Sequence, residues 1–191
     1  TRDGEPLSVS RAWRVVNGGR LKWRTGYSVT FYDASGAPIA TPATLPVPDP
    51  NKTTFHSSHR SKSATPSNTT SGWDQSDSNT WRAGAQGNSF DYSPGEVWLG
   101  MSANEAFHVS RFRVFGQQKA HDDASSDTVV LQKLVSGDPP AEPTQLQSAD
   151  AVAADSGVWQ DVARVSMDGE NLVVEGRTCP DGQEPAGGAC Q

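Results

Sequence analysis

Three short stretches of this sequence carry residue types that could do chemistry. In Trp73-Asp74-Gln75-Ser76-Asp77-Ser78-Asn79-Thr80-Trp81-Arg82, Asp74, Asp77 and Thr80 gather oxygen donors of the kind hard cations take. The same residues can instead close a turn through Asx hydrogen bonds, with no metal. Around them Trp73, Trp81, Arg82 and Trp98 offer aromatic faces and an Arg fork, the groups that sugar-binding loops use. Aromatics at strand positions serve packing more often than recognition, which leaves Trp73, just ahead of the polar loop, as the surface candidate with Arg82. The second stretch, Phe55-His56-Ser57-Ser58-His59-Arg60-Ser61-Lys62, holds a basic and imidazole cluster. His56 and His59 have a spacing that chelates on a helix, but the segment has no helical pattern and no carboxylate near it. The cluster therefore reads as a contact for an anionic surface, centred on His56, His59, Arg60 and Lys62, or as a solvated loop. The third, His121-Asp122-Asp123, could act as an acid and base pair.

Catalytic signatures with a stated mechanism are missing from the sequence. It holds no Gly-x-Ser-x-Gly elbow, no phosphate-binding Gly loop and no His-Glu-x-x-His. The expectation is a protein that is not an enzyme.

The elements that must position these residues follow from pattern and composition. The 191 residues suffice for one good core. An apolar content of 34% with a mean hydropathy of -0.60 puts much of the chain in polar loops. Eighteen Gly and thirteen Pro favour short strands and turns. Residues 9–16 and 27–33 alternate apolar with polar at period two, the mark of half-buried strands. Asn17-Gly18-Gly19 between them predicts a turn and an N-terminal hairpin. Further strands are expected at 97–100, 107–115, 128–135, 158–165 and 172–175. The stretches 42–71 and 136–157 read as long loops, a length usually functional or disordered.

Charge is unevenly spread. Residues 1–62 carry nine Lys/Arg against four Asp/Glu, residues 63–141 five against nine, and residues 142–191 two against nine. The overall net charge of -6 disfavours nucleic acid as a partner. A basic face from Arg11, Arg14, Arg20, Lys22 and Arg24 could still meet an acidic surface, or be ordinary outward strand positions. No stretch approaches the length of apolar residues a bilayer span needs, so no transmembrane segment is expected.

The order of these motifs resembles the discoidin, or coagulation-factor type C, family of galactose-binding modules. The resemblance rests on Asp74 followed by Trp81, on Trp98-Leu99-Gly100 with the alternating Val109-to-Val114 stretch, and on Val129-Val130-Leu131-Gln132 with Trp159-Gln160-Asp161-Val162. It covers residues 9–176. It implies an all-β fold, a galactose-binding-domain-like jelly-roll β-sandwich, with 42–71 and 136–157 as loop insertions, 1–8 as an N-terminal tail and 177–191 as a C-terminal tail. It implies a structural Ca2+ on Asp74, Asp77 and Thr80, and core positions for Trp81 and Trp98. The function it implies is non-catalytic binding of carbohydrate or a protein surface through loops, and the ligand-binding candidates read from the residues themselves are Trp73, Arg82, His56, His59 and Arg60. The long loops equally suit a structural accessory subunit docked onto a larger multi-subunit or membrane-embedded complex.

Both cysteines, Cys179 and Cys190, lie in the last thirteen residues around a Pro/Gly loop. A disulfide between them would staple the tail and suits an oxidising, secreted or lumenal compartment; two reduced thiols are the alternative. The sequons Asn51-Lys52-Thr53 and Asn68-Thr69-Thr70 agree with the secretory reading. The opening Thr1-Arg2-Asp3-Gly4 does not resemble a signal peptide, so a leader was either removed or never present.

Overall fold

A computed structural model describes residues 8–18, 27–39, 53–58, 73, 93–116, 128–140, 153–166, 173–179, 185–186 and 189–190. Its strands are β1 Ser10–Asn17, β2 Tyr27–Tyr32, β3 Thr53–Ser57, β4 Trp98–Phe107, β5 Arg111–Gly116, β6 Thr128–Ser136, β7 Val158–Ser166, β8 Val173–Arg177, β9 Pro185–Ala186 and β10 Ala189–Cys190. No helix occurs among the described residues, and the fold is all-β. One antiparallel sheet has the order β3-β4-β1-β6-β7, a second has β2-β5-β8, and β9 with β10 forms a small ribbon.

The two larger sheets share one core. Trp13 and Val15 of β1, Leu99 and Met101 of β4, and Val129 and Leu131 of β6 meet Val29 and Phe31 of β2 and Phe112 and Val114 of β5. Each sits two residues from its partner on the same strand, which sends both side chains to one face of a pleated sheet. Burying a large apolar side chain of this kind contributes about 1.5–3 kcal/mol.

Trp73 closes the core from outside the strands. Its ring lies edge-on to Phe31 of one sheet (4.9 Å between centroids) and tilted on Phe55 of the other (5.4 Å). Only 1% of it is exposed, which corrects the expectation of a surface aromatic. Flanked by a polar run in the sequence, it is drawn inward because Phe31 and Phe55 between them leave a place for an aromatic.

Two further expectations are overturned. β1 and β2 do not pair as a hairpin, because β1 pairs with β4 and β6 while β2 pairs with β5 in the other sheet. Asn17 instead ends β1 and ties down the turn before β4. Its side-chain oxygen accepts from Val97 N–H (2.9 Å), its amide donates to Ser93 O (2.9 Å), and its carbonyl accepts from Gly95 N–H (2.8 Å). Gly95 takes φ 84° there, a conformation open to glycine. Nor is 42–71 all loop, for it contains β3, paired with β4 from Thr53↔Ala103 to Ser57↔Leu99.

Strand β1 also departs from the half-buried pattern read from its alternation. It is the middle strand of five, and Ala12, Arg14 and Val16 on its outer face are as buried as Trp13 and Val15 on its inner one. The cover over that outer face is what builds the site.

Candidate functional site

The outer face of the five-stranded sheet carries a row of residues that crosses every strand, polar on β3, β1, β6 and β7 and glycine on β4. Backbone register aligns His56 with Gly100, Gly100 with Arg14, Arg14 with Gln132, and Gln132 with Asp161. The side chains continue the row as a network. Arg14 Nε donates to Gln132 Oε1 (2.8 Å), and Gln132 Nε2 donates to Asp161 Oδ1 (2.8 Å). Asp161 Oδ2 in turn lies 3.3 Å from Arg164 Nη2. The adjacent row, Trp98, Val16, Val130 and Arg164, is also aligned by register.

Residues 153–157, which have no regular secondary structure, lie over this face just before β7. Ala153 packs with Val16, Trp98 and Val130 and donates its N–H to Ser58 O (2.8 Å). Asp155 reaches down to Arg14, with Oδ2 2.6 Å from Nη1. Its Oδ1 accepts from Trp159 Nε1 (3.1 Å) and from Gly157 N–H (3.0 Å). Gly157 must stay a glycine for this fit, because a Cβ there would meet Leu134 Cδ1 at 2.6 Å and Trp159 Nε1 at 2.8 Å.

The Arg14 guanidinium carbon is 4.0 Å from the Trp159 ring centroid and 4.9 Å from that of Trp98. Both rings therefore lie within cation–π range of it. Its side chain is 8% exposed against 20% for Asp155. Burial holds the Arg14 pKa below its ordinary value, a pull that the hydrogen bond and charge of Asp155 partly oppose. For Asp155 burial pushes the other way, but the hydrogen bonds from Trp159, Arg14 and Gly157 and the Arg14 charge prevail and leave its pKa lowered. The pair is ionised at neutral pH.

His56 sits at the β3 end of the row, fully buried. Its ring lies against the bare backbone of Gly100, where a Cβ would come within 2.0 Å of the ring. Among the described residues neither ring nitrogen has a hydrogen-bond partner, and Trp98 Nε1 is likewise buried and unpartnered. A buried polar group left unpaired costs about 1–3 kcal/mol. Burial, with the Arg14 charge adding to it and Asp155 opposing, lowers the His56 pKa from 6.5 to about 3. The ring is neutral, and one of its nitrogens is a donor and the other an acceptor.

Gly100→Ala tests this fit. Its methyl group drives into the ring, so a loss of about 1–3 kcal/mol in chemical denaturation is expected, the usual cost of overpacking. Adding His56→Ala should return most of it, and additive losses in the double variant would show that the ring does not occupy that space.

The site residues expected from sequence distribute as follows. His56 joins this face but as a buried strand residue, correcting its reading as an exposed loop contact. Trp73 is in the core. Arg82, His59, Arg60 and the proposed cation ligands Asp74, Asp77 and Thr80 lie outside the described residues, as do Trp81, Lys62 and the His121-Asp122-Asp123 group. Trp98 is buried as expected, though on the outer face beside Arg14. Arg14, counted in the sequence among outward strand positions, is buried. Cys179, just after β8, is 5% exposed and not a free thiol, while the side chain of Cys190 is outside the described residues. Among those residues no three His, Cys, Asp or Glu side chains converge as metal ligands.

Gln132, Asp155, Trp159 and Gly100 were not legible as site residues. The available signal was an Arg at the centre of Ala12-Trp13-Arg14-Val15-Val16, where a charge inside an apolar run calls for a buried partner. The described strands define an all-β fold built on two larger antiparallel sheets, and the site is a polar face flanked by aromatics. No family model, curated protein or solved structure matches the chain.

Proposed function

We propose that the chain is a non-catalytic binding module, a discoidin-like jelly-roll sandwich that takes a carbohydrate on the outer face of its five-stranded sheet. The reading is carried by the row from Arg14 through Gln132 to Asp161. Its amide and carboxylate are fixed by one another on paired strands before any ligand arrives. Preorganised groups of this kind lose little freedom on binding, and the half-exposed Trp159 beside them supplies the aromatic surface that a sugar ring packs against. The ligand surface thus moves from loop tips to the sheet. A bridge between Cys179 and Cys190, with the secreted or lumenal location it implies, belongs to the same proposal.

A glycan array probed with the wild-type protein and with Gln132→Ala and Trp159→Ala tests it. Selective binding is expected, weakened about tenfold by Gln132→Ala, as loss of a hydrogen bond to a charged group typically does, and about three- to tenfold by Trp159→Ala, as loss of a packed aromatic ring does. An array with no bound glycan sinks the carbohydrate reading. Silence together with co-purification in a stable assembly would favour an accessory subunit instead.

A further inference from the structure

We propose that Arg14, Trp159 and Gly157 form a receptor for a carboxylate, filled in cis by Asp155, and that a carboxylate-bearing ligand binds by displacing Asp155. In its sugar form this rests on the carbohydrate reading above, where it names the class as an acidic sugar.

The observation behind it is how completely Asp155 is bound, on a segment that is otherwise held at its start by Ala153, which packs with Val16, Trp98 and Val130 and donates to Ser58 O. Its two oxygens take three donors, Arg14 Nη1 at 2.6 Å, Gly157 N–H at 3.0 Å and Trp159 Nε1 at 3.1 Å. Two of the three, on Arg14 and Trp159, come from strands paired within the sheet. Arg14 is further aimed by Gln132 and by the rings of Trp98 and Trp159. Such a guanidinium, fixed in plane with an N–H beside it, matches a carboxylate closely. Asp155 itself rides on residues 153–157, which form no strand, and retains access to water.

A second, independent observation points to a ligand in the same place. Beneath this segment His56 Nδ1 and Nε2 and Trp98 Nε1 are buried and, among the described residues, without partners. They are two donors and an acceptor that Asp155 does not use, next to the carboxylate position. The His56 ring centroid is 6.4 Å from that of Trp159, and the Trp98 ring borders Arg14. An acidic sugar offers a carboxylate to Arg14 and hydroxyls that both donate and accept to these three atoms. Native proteins leave few such atoms unpaired, and each calls for a reason.

A tethered carboxylate competes at an effective concentration in the millimolar range, so wild-type protein should bind free carboxylates weakly. Asp155→Ala empties the receptor. Titration calorimetry of glucuronic acid, with acetate as the bare carboxylate and glucose as the uncharged control, should show glucuronic acid binding Asp155→Ala about tenfold or more tighter than wild type, and no heat from glucose. The melting temperature of Asp155→Ala should rise with added acetate, as for any ligand that binds only the folded state. Asp155→Asn, which keeps the side chain's shape, guards against a folding defect and should show the same order of affinities. If glucuronic acid and acetate bind neither variant more tightly than wild type, the receptor is disproved. A silent glycan array with positive acetate and glucuronic acid titrations would remove the carbohydrate reading alone.

Discussion

Replacing Arg14 by Met should destabilise the fold by about 1–3 kcal/mol, the range for removing one partner of a charged hydrogen-bond network in which only the Arg14 side chain is buried. Three losses combine in it. Asp155 is left with a negative charge and two neutral donors, Gln132 Oε1 loses its donor, and Trp98 and Trp159 lose the cation beside them. Met keeps a flexible chain of similar length in the gap, so the loss reports on charge and hydrogen bonding rather than on a cavity. Asp155→Asn in the Arg14→Met background should recover about 1 kcal/mol or more, because the stranded charge is gone, and a double-mutant cycle in urea reads that coupling directly. A loss below about 1 kcal/mol for Arg14→Met would place the pair with exposed salt bridges and remove the electrostatic basis of the site.

The sequence foretold the strands whose apolar residues alternate and failed where cover comes from a distant segment. Thr128–Ser136 and Val158–Ser166 lie within a residue of their expected bounds because Val129, Leu131 and Ala163 mark one face plainly. Strand β3 was missed because Thr53-Thr54-Phe55-His56-Ser57 has a single apolar residue to mark its inner face. Its outward His56 is covered by Gly100 and the Trp159 ring, and no local pattern records such contacts. The hairpin misreading has a similar origin. Asn17-Gly18 has turn chemistry, but Asn17 uses it to hold the 93–97 turn, and the pairing of β1 with β4 and β6 was decided by the core.

For the site, residue type carried less information than register. His56, Arg14, Gln132 and Asp161 are 42, 118 and 29 positions apart along their contacts, spacings no motif links, and only the alignment of β3, β4, β1, β6 and β7 sets them in one row. The opposite error befell Trp73, where a polar neighbourhood in sequence suggested a surface that the two phenylalanines on either side of it exclude.

Acidification from pH 7 to pH 4 should remove about 3 kcal/mol of stability through His56 alone. Its pKa is about 3 in the folded protein against an ordinary 6.5. Below the ordinary value the unfolded chain therefore binds a proton that the folded protein refuses. Stability is fully present above about pH 6.5, declines at up to about 1.4 kcal/mol per pH unit as pH falls, and levels off only near the folded value. The lowered pKa of Asp155 acts in the same direction, but only from about pH 5 downward, and that of Arg14 acts at alkaline pH. The interval from about pH 6.5 to about 5 thus isolates His56 from its two charged neighbours, and below it the wild type and a His56 variant both keep Asp155 and share its part. His56→Phe places an apolar ring over Gly100 and ends the titration, so its urea midpoint should match or exceed the wild type at pH 7. The gap between the two proteins should then widen by about 3 kcal/mol by pH 4. Parallel stability curves over that interval would mean that His56 titrates normally in the folded state and is not held neutral beneath Asp155 and Arg14.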